Sequence, residues 1–186
     1  MIILRVLFWA VELTLIFGVF SYCFYITGLF LSRFFEVPFV PTNREAIQEV
    51  FSLIKPKPGS KILEIGCGDG RVICEVVKKY GLQGRGIDKN PIFVVVARIL
   101  ATLMGISGKI IFKRDDARNA DLGWADIIYL FMIPKFIHGE DMKKKILTEA
   151  RSGTYIISHW YEIEYLKEKE IHRAQTGSHI TYVYRI

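Results

Sequence analysis

The sequence has few of the residues that build metal sites and disulfide frameworks. Its 186 residues include three cysteines, Cys23, Cys67 and Cys74, whose spacing matches neither paired metal ligands nor a secreted disulfide scaffold. The four histidines show no ligand spacing either. We therefore expect no metal, no disulfide and a reducing compartment. The sequence also has no internal repeat and no low-complexity tract.

Charge is absent from residues 13 to 32, a run of 20 positions. Twenty helical residues at about 1.5 Å each match a hydrocarbon core of roughly 30 Å, so the run predicts an uncleaved transmembrane helix. It is longer than the apolar core of a signal peptide, and no small-residue cleavage pattern precedes Arg33. The helix can begin as early as Val6 if Glu12 lies at the headgroups or faces a protein partner. Arg5 and Arg33 flank the two ends, so charge leaves the orientation undecided.

The rest of the chain is basic. Residues 1 to 32 hold one Arg and one Glu, so the net charge of +6 belongs to the remainder. A basic domain beside a bilayer would be attracted to anionic headgroups. An acidic partner, RNA or a simply solvated surface also fits this charge.

Helices and strands alternate in the sequence after the apolar run, as indicated by the spacing of apolar residues. The predicted helices are 43–54, about 70–80, 91 to about 104 and around 135–150, and the predicted strands are 61–65, 84–88, 109–113, 126–131 and 154–158. This alternation predicts a mostly parallel sheet. Two further strands, about 168–174 and 179–185, flank a Gly-Ser turn and predict an antiparallel hairpin. The expected fold class is α/β, with one domain at 37–186 behind an anchor and linker at 1–36.

Three glycines separate a predicted strand from a predicted helix in KILEIGCGDGRV, residues 61–72. Glycines there indicate positive φ angles or a ligand against bare backbone, and ligands of parallel sheets bind beyond the carboxyl ends of the strands. The pattern is G-x-G-x-G, with Arg71 where a dinucleotide fingerprint has its third glycine. Glu64 and Asp69 would repel a pyrophosphate but suit an ammonium group.

Carboxylates also follow the next two strands. Asp88 ends the second strand, 24 residues after Glu64, where a carboxylate can accept both hydroxyls of a ribose. After the third strand, Asp115 or Asp116 could accept from an adenine amino group, and we favour Asp116 because Ala117 follows it. A nucleoside that carries an amino acid and no phosphate is S-adenosylmethionine. The pattern therefore predicts this cofactor.

The stretches LEIGCGDGRV, GIDKNP and RDDA resemble the nucleoside-binding motifs of class I, seven-strand S-adenosylmethionine-dependent methyltransferases. The resemblance covers roughly residues 38–186 and implies a Rossmann-like sheet that ends in a hairpin. The apolar segment, PFVPT, GIDKNPIFVVVAR and the strand end YLFMIP are similar, more narrowly, to the membrane-anchored lysine N-methyltransferases of the ATP synthase c-subunit and of adenine nucleotide translocase.

The resemblance also implies a cofactor-binding set. The glycine loop with Glu64 would line the methionine side, Asp88 the ribose and an Asp-Ala pair the adenine, while Pro41 and Thr42 would border the entrance. The predicted cofactor-binding residues are Thr42, Glu64, Gly66, Cys67, Gly68, Asp69, Gly70, Asp88, Lys89, Asp115, Asp116 and Ala117.

On the substrate side, the resemblance places residues 131–134 around the accepting nitrogen. The predicted substrate-side residues are Phe131, Pro134 and Tyr129. The chain has Asp88 where relatives often have Glu, which shortens the reach and keeps the charge. It lacks the Asn-Pro-Pro-Tyr sequence of many enzymes that methylate planar amide or base nitrogens, which disfavours nucleobase and glutamine acceptors.

A lysine acceptor needs to lose a proton. Its ordinary pKa of about 10.4 leaves about one molecule in a thousand neutral at neutral pH, so the site must desolvate the amine or accept its proton. Phe131, with Met132 and Ile133 next to it, could form an apolar rim that favours the neutral amine. Tyr129, Asp126 and His159 remain alternatives as proton acceptor.

The leading hypothesis is a single-pass, membrane-anchored protein-lysine N-methyltransferase that acts on a membrane protein. One alternative is methylation of a membrane-soluble small molecule such as a quinone or lipid, and another is a non-catalytic cofactor-binding membrane adaptor. RNA methylation is favoured only by the basic charge. Because the cofactor is made inside cells, we predict that the catalytic domain faces the cytoplasm.

Overall fold

The structure, a computed structural model, describes residues 1–32 and 40–186. The long helix α1 (Ile2–Ser32) precedes an α/β domain. The helices of that domain are α2 (Arg44–Ile54), α3 (Arg71–Tyr80), α4 (Pro91–Leu103), α5 (Pro134–Ile137) and α6 (Glu140–Glu149). Its strands are β1 (Lys61–Ile65), β2 (Gln83–Asp88), β3 (Ile110–Arg114), β4 (Ile127–Leu130), β5 (Tyr155–His159), β6 (Glu170–Thr176) and β7 (His179–Arg185). The predicted boundary between residues 36 and 37 lies outside the described residues.

The strands form one seven-stranded sheet in the order β3-β2-β1-β4-β5-β7-β6. Strands β1 to β5 pair in parallel, and β7 pairs antiparallel with both β5 and β6. This confirms the predicted parallel sheet with a terminal hairpin. The strand order reverses between β1 and β4, and in open parallel sheets the ligand crevice lies beyond the carboxyl ends of the strands at such a point.

Two hydrophobic layers hold the sheet. Helices α2, α3 and α4 cover one face and helices α5 and α6 the other. Helix α2 shows the predicted periodicity, because its buried residues are Ala46, Ile47, Val50, Phe51 and Ile54. The Asn43 side chain caps this helix by accepting a hydrogen bond from the backbone of Glu45 at 2.9 Å.

The single helix expected around 135–150 is two helices, and this expectation was wrong. Helix α5 ends at Ile137, and Gly139 takes an extended backbone conformation with ψ 139° as the cap of α6. A Cβ at Gly139 would lie 3.3 Å from the carbonyl oxygens of Lys135 and Phe136. The glycine therefore lets the chain fold back closely onto α5 before the second helix begins.

Helix α1 contains the predicted apolar run at 13–32 and begins near the N-terminus, at Ile2. Within the described residues it is the one helix, as Ile2–Leu31, whose length and composition allow it to cross a membrane, a property that an N-terminal signal sequence shares. Most of α1 is exposed, but Gly28 is buried against the α/β domain. The last turns of the helix therefore touch the domain directly.

Candidate cofactor and substrate site

The loop after β1 owes its path to glycine. Gly66, Gly68 and Gly70 have φ angles of 73°, 50° and 76°, a region that side chains disfavour. The backbone N–H groups of Gly66 and Cys67 both donate to the carbonyl oxygen of Ile87, at 2.8 and 3.0 Å. These two bonds tie the glycine loop to the end of β2.

Gly70 is also required for close packing. A Cβ added to it would lie 2.8 Å from the Ala97 Cβ and 3.1 Å from the ring of Phe112. The absence of a side chain at Gly70 therefore lets the start of α3 approach α4 and β3. Gly70 supports the loop from behind and does not line the cavity.

Asp88, at the tip of β2, is held by two backbone donors. One of its oxygens accepts from Gly68 N and the other from Asn90 N, both at 2.8 Å. Burial raises the pKa of this carboxyl, and the two hydrogen bonds oppose the rise. Each oxygen can accept a further hydrogen bond, so the side chain is positioned to receive a pair of hydroxyl groups.

Two further carboxyl groups share this region. Glu64 is 3% exposed, and its Oε2 accepts from the backbone of Ile73 at 3.0 Å. Burial raises the pKa of Glu64 well above its ordinary value, and the nearby carboxylates of Asp69 and Asp88 act in the same direction. The Asp69 oxygens lie 3.0 and 3.1 Å from Nε of Arg71. A crevice with this many acids favours a ligand that carries positive charge.

One cavity brings most of the predicted site residues together beyond the ends of β1, β2 and β4. The predicted residues that line it are Pro41, Thr42, Glu64, Gly66, Cys67, Gly68, Asp69, Asp88, Lys89, Asp115, Ala117, Phe131, Met132 and Ile133. The lining also contains residues that sequence reasoning did not assign to the site: Val40, Arg71, Val72, Ile87, Asn90, Phe93, Phe136, Trp160 and Tyr161.

The preference for Asp116 over Asp115 does not match the geometry. Asp115 lines the cavity and Asp116 does not. Asp116 caps the short turn that begins at Ala117, by accepting from Arg118 N at 2.9 Å, and it pairs with Lys89 Nζ at 2.9 Å. The Lys113 ammonium lowers the pKa of Asp115 to about 2, with help from hydrogen bonds to the same carboxylate. Asp115 is therefore an anionic acceptor at the cavity wall.

Two of the predicted substrate-side residues, Tyr129 and Pro134, do not line the cavity. Tyr129 is 1% exposed, and burial raises the pKa of its hydroxyl, which lies near Thr42. Pro134 occupies the first turn of α5. Asp126 directly precedes β4, at the amino end of the strand and therefore on the side of the sheet away from the cavity. There it accepts from Lys61 N at 2.8 Å and pairs with Arg151. Asp126 is thereby excluded as a proton acceptor at this site.

The wall beside Phe131 is aromatic. The ring of Trp160 lies 5.8 Å from that of Phe131 and 6.0 Å from that of Tyr161. Trp160 has a φ angle of 79°, which is an outlier for a bulky residue and often marks a functional site. The sequence offered one signal for these two residues. Trp160 and Tyr161 come within three residues of the predicted strand 154–158, and the carboxyl end of that strand lies on the same side of the sheet as the carboxyl ends of β1 and β4.

His159 lies behind this aromatic wall. Its ring makes an edge-on contact with Phe131 at 4.8 Å, and its Nδ1 lies 2.7 Å from the Thr181 hydroxyl. Burial, followed by the neighbouring His179, lowers the pKa of His159 to about 4. The imidazole is therefore neutral at neutral pH and does not line the cavity.

The fold of this chain is similar to that of a solved methyltransferase. An RNA methyltransferase from Salinibacter ruber in complex with S-adenosyl-L-homocysteine superposes with a TM-score of 0.73 over 79% of this chain and 94% of that one, at 22% identity. This likeness concerns the fold. The class of the protein follows from the family model for the ANTKMT methyltransferase domain, which matches more than half of the chain: it is an S-adenosylmethionine-dependent methyltransferase. A crevice rich in carboxylates and glycines, which suits a cationic nucleoside better than a pyrophosphate, agrees with this class.

The family follows from the sequence comparison. The family model for the ANTKMT methyltransferase domain matches residues 64–170, and the chain belongs to this family. A protein-lysine N-methyltransferase of Saccharolobus islandicus is 26% identical over 154 residues, which are 81% of this chain and 94% of that protein.

Two mammalian relatives match a shorter part of their own length. The mouse adenine nucleotide translocase lysine N-methyltransferase is 27% identical over 66% of this chain and 52% of its own. The human lysine N-methyltransferase of the ATP synthase C-subunit is 27% identical over 67% of this chain and 54% of its own. The chain thus spans about half the length of these two relatives.

Proposed function

We propose that the protein is a membrane-anchored protein-lysine N-methyltransferase whose acceptor is a lysine of a membrane protein. The observation that carries the proposal is the similarity to a protein-lysine N-methyltransferase over 94% of that relative's length. Two further relatives are lysine methyltransferases of a translocase and of an ATP synthase subunit. The apolar helix α1 supports the membrane part of the proposal.

The acidic residues of the crevice have roles that suit the cofactor. Asp88 would accept the ribose hydroxyls, Glu64 and Asp69 would face the amino-acid portion, and Asp115 would accept from the adenine amino group. When bound, S-adenosylmethionine supplies an activated methyl group that an acceptor lone pair attacks in line. The protein's main contributions are position and a dry site.

The aromatic wall prepares the acceptor. Phe131, Trp160 and Tyr161 line the cavity with aromatic rings, and desolvation beside them favours the neutral amine over the ammonium form. The rings can also hold a lysine that remains charged after methylation, because aromatic faces attract alkylammonium groups. Proton removal then requires no dedicated base in the wall.

Anchoring explains how such a small domain finds its substrate. Confining enzyme and acceptor to one membrane raises their effective concentration without new contacts. We place the catalytic domain on the cytoplasmic side because the cofactor is made there. Protease treatment of sealed inside-out and right-side-out vesicles tests this, and a domain that is cleaved only from the outer face would contradict the placement.

The acceptor can be identified by radiolabelling. Membranes from host cells that lack the protein are incubated with the purified full chain and S-adenosylmethionine labelled on the methyl group, with an Asp88→Asn variant as the matched control. We expect label in protein, recovered as N-methyl-lysine after hydrolysis, and little label with the variant. Label confined to the lipid extract would instead establish a small-molecule acceptor, and label confined to RNA an RNA acceptor. Turnover with any acceptor rules out a purely non-catalytic adaptor.

A further inference from the structure

The last two turns of α1 are attached to the α/β domain through specific contacts. The carbonyl oxygen of Gly28 accepts from the buried Nδ2 of Asn90 at 2.8 Å, across a separation of 62 residues. The ring of Tyr25 packs against Phe93 at 6.1 Å between centroids, and its hydroxyl lies near the Arg71 guanidinium. The helix therefore contacts the start of α3, directly after the glycine loop, and the segment that joins β2 to α4.

The residues it contacts are the ones that hold the acids of the crevice. Asn90 donates its backbone N–H to Asp88 at 2.8 Å, and Arg71 donates Nε to Asp69 at 3.0 Å. Asn90 and Arg71 also line the cavity themselves. Each of the two cofactor loops is thus linked to α1 through one intermediate residue.

The fit at Gly28 requires glycine. A Cβ at this position would lie 2.7 Å from Cγ2 and 3.3 Å from Cβ of Ile92, two atoms close to the α4 backbone that cannot easily move away. Gly18, ten residues earlier on the same helix, has nothing within 4 Å of such a Cβ. The close approach is therefore local to the docked turns.

We propose that residues 25–32 of α1 position the cofactor site from outside the cavity, because they hold Asp88 and Asp69 in place through Asn90 and Arg71. The apolar helix then has two functions along its length. Its docked end completes the methyltransferase domain, and the preceding residues 2–24 remain for the membrane. At about 1.5 Å per residue these measure about 35 Å, enough to span a hydrocarbon core of roughly 30 Å. Glu12 then lies near the middle of the span, so this arrangement requires that its carboxyl group faces a protein partner.

This arrangement also restricts the acceptor. The docked turns directly follow the membrane span, so the cavity lies close to the bilayer surface. The preferred substrates are accordingly lysines next to a membrane segment, and lysines on distant soluble domains are poor ones. This consequence rests on the proposed function, whereas the role of α1 in cofactor binding does not.

The test measures binding of S-adenosylhomocysteine to the full chain in detergent micelles by titration calorimetry. Gly28→Val is compared with the matched control Gly18→Val, and Asn90→Ser removes the amide donor while keeping a hydroxyl to cap α4. We expect about tenfold weaker binding for Gly28→Val and for Asn90→Ser, as for loss of one buried hydrogen bond, and no change for Gly18→Val. Because both substitutions disrupt the same contact, the fold-loss of affinity in the double variant should be smaller than the product of the fold-losses in the two single variants.

Two outcomes decide the question. If Gly28→Val binds S-adenosylhomocysteine as tightly as Gly18→Val does, the proposal is wrong. If the variant binds weakly but its thermal unfolding without ligand is unchanged, the helix positions the site and does not merely stabilise the fold. Once an acceptor has been identified, a positioning role also predicts that Gly28→Val raises the KM for S-adenosylmethionine while kcat stays nearly constant. The binding measurement needs no acceptor, so it stays informative even if the methylated group is not a lysine.

Discussion

Replacing Asp88 with asparagine is expected to weaken S-adenosylhomocysteine binding by about 10- to 100-fold. In the native protein both carboxylate oxygens accept backbone hydrogen bonds, from Gly68 and from Asn90, at 2.8 Å each. Asparagine has nearly the same shape, but it carries no charge and only one acceptor oxygen. A hydrogen bond to a charged acceptor contributes about 1.5–3 kcal/mol, and 1.4 kcal/mol is a factor of ten in affinity, which gives this range for one such bond to the ribose.

The same substitution has a second, separate effect. The amide nitrogen must face one of the two backbone N–H groups, and a buried donor without an acceptor costs about 1–3 kcal/mol. That cost is present with and without ligand, so it appears in the urea unfolding curve of the free protein and not in the affinity. Titration calorimetry and unfolding therefore report on two different contacts of one side chain.

The matched control is Asp121→Asn, which removes an exposed carboxylate paired with Arg85 at 3.6 Å. An exposed ion pair of this kind contributes at most about 1 kcal/mol, and we expect neither the affinity nor the unfolding curve to change appreciably. Wild-type affinity in Asp88→Asn would refute the assignment of Asp88 to the ribose. A loss of stability without a loss of affinity would reduce its role to holding the two loops together.

Three further predictions concern packing, pH and the aromatic wall. Gly70→Ala should lower the free energy of unfolding in urea by about 2–4 kcal/mol, because the added Cβ would lie 2.8 Å from the Ala97 Cβ. The control Gly105→Ala is also at positive φ but has nothing within 4 Å of the added Cβ, so it should lower the free energy by only about 1–2 kcal/mol. Equal losses in the two variants would contradict the packing argument. Because the pKa of His159 is lowered to about 4 from 6.5, the unfolded chain binds a proton at this residue at a higher pH than the folded chain does. The free energy of unfolding should therefore fall by up to about 3 kcal/mol as the pH drops from about 6.5 to about 4. His159→Gln should lack that part of the pH dependence, and identical slopes in the two proteins would count against it. Trp160→Asn, which tolerates the positive φ of 79°, should keep cofactor affinity and lose acceptor turnover, whereas Trp160→Phe should retain most turnover; loss of cofactor affinity in both would mean that Trp160 is structural.

The elements that sequence reasoning predicted are those encoded by local pattern. Alternating apolar stretches and turn residues indicated the seven strands, and the parallel arrangement then followed from the intervening helices. The helix around 135–150 was mispredicted because its apolar spacing continues across Gly139, from Ile137 to Met142 and Ile146, which are all buried. Apolar periodicity indicates which residues share a buried face, and two consecutive helices can bury the same face of the domain as one long helix would.

The residues of the site that could be predicted from the sequence are those that directly follow the ends of strands. The acids after β1, β2 and β3 could be grouped because parallel strands bring their carboxyl ends to one edge. The choice between Asp115 and Asp116 depends on which one caps the next turn, a detail of backbone geometry. Asn90 caps α4, because its Oδ1 accepts from Ile92 N at 3.0 Å. Its second contact, with Gly28, joins distant parts of the chain and has no local signal.

The buried acid Glu64 gives the crevice a further property, a linkage between cofactor binding and proton release. Burial and the carboxylates of Asp69 and Asp88 raise the pKa of Glu64 well above its ordinary value, so the free protein retains this proton to higher pH than an exposed glutamate does. A cationic group placed beside it favours the anion and lowers the pKa again. Binding of S-adenosylmethionine should therefore release a proton, and its affinity should rise with pH until Glu64 is ionised in the free protein. Calorimetric titrations in two buffers of different ionisation enthalpy measure this release directly. Glu64→Gln should abolish it, and an apparent enthalpy that is identical in both buffers for the wild-type protein would show that Glu64 does not face the cationic part of the cofactor.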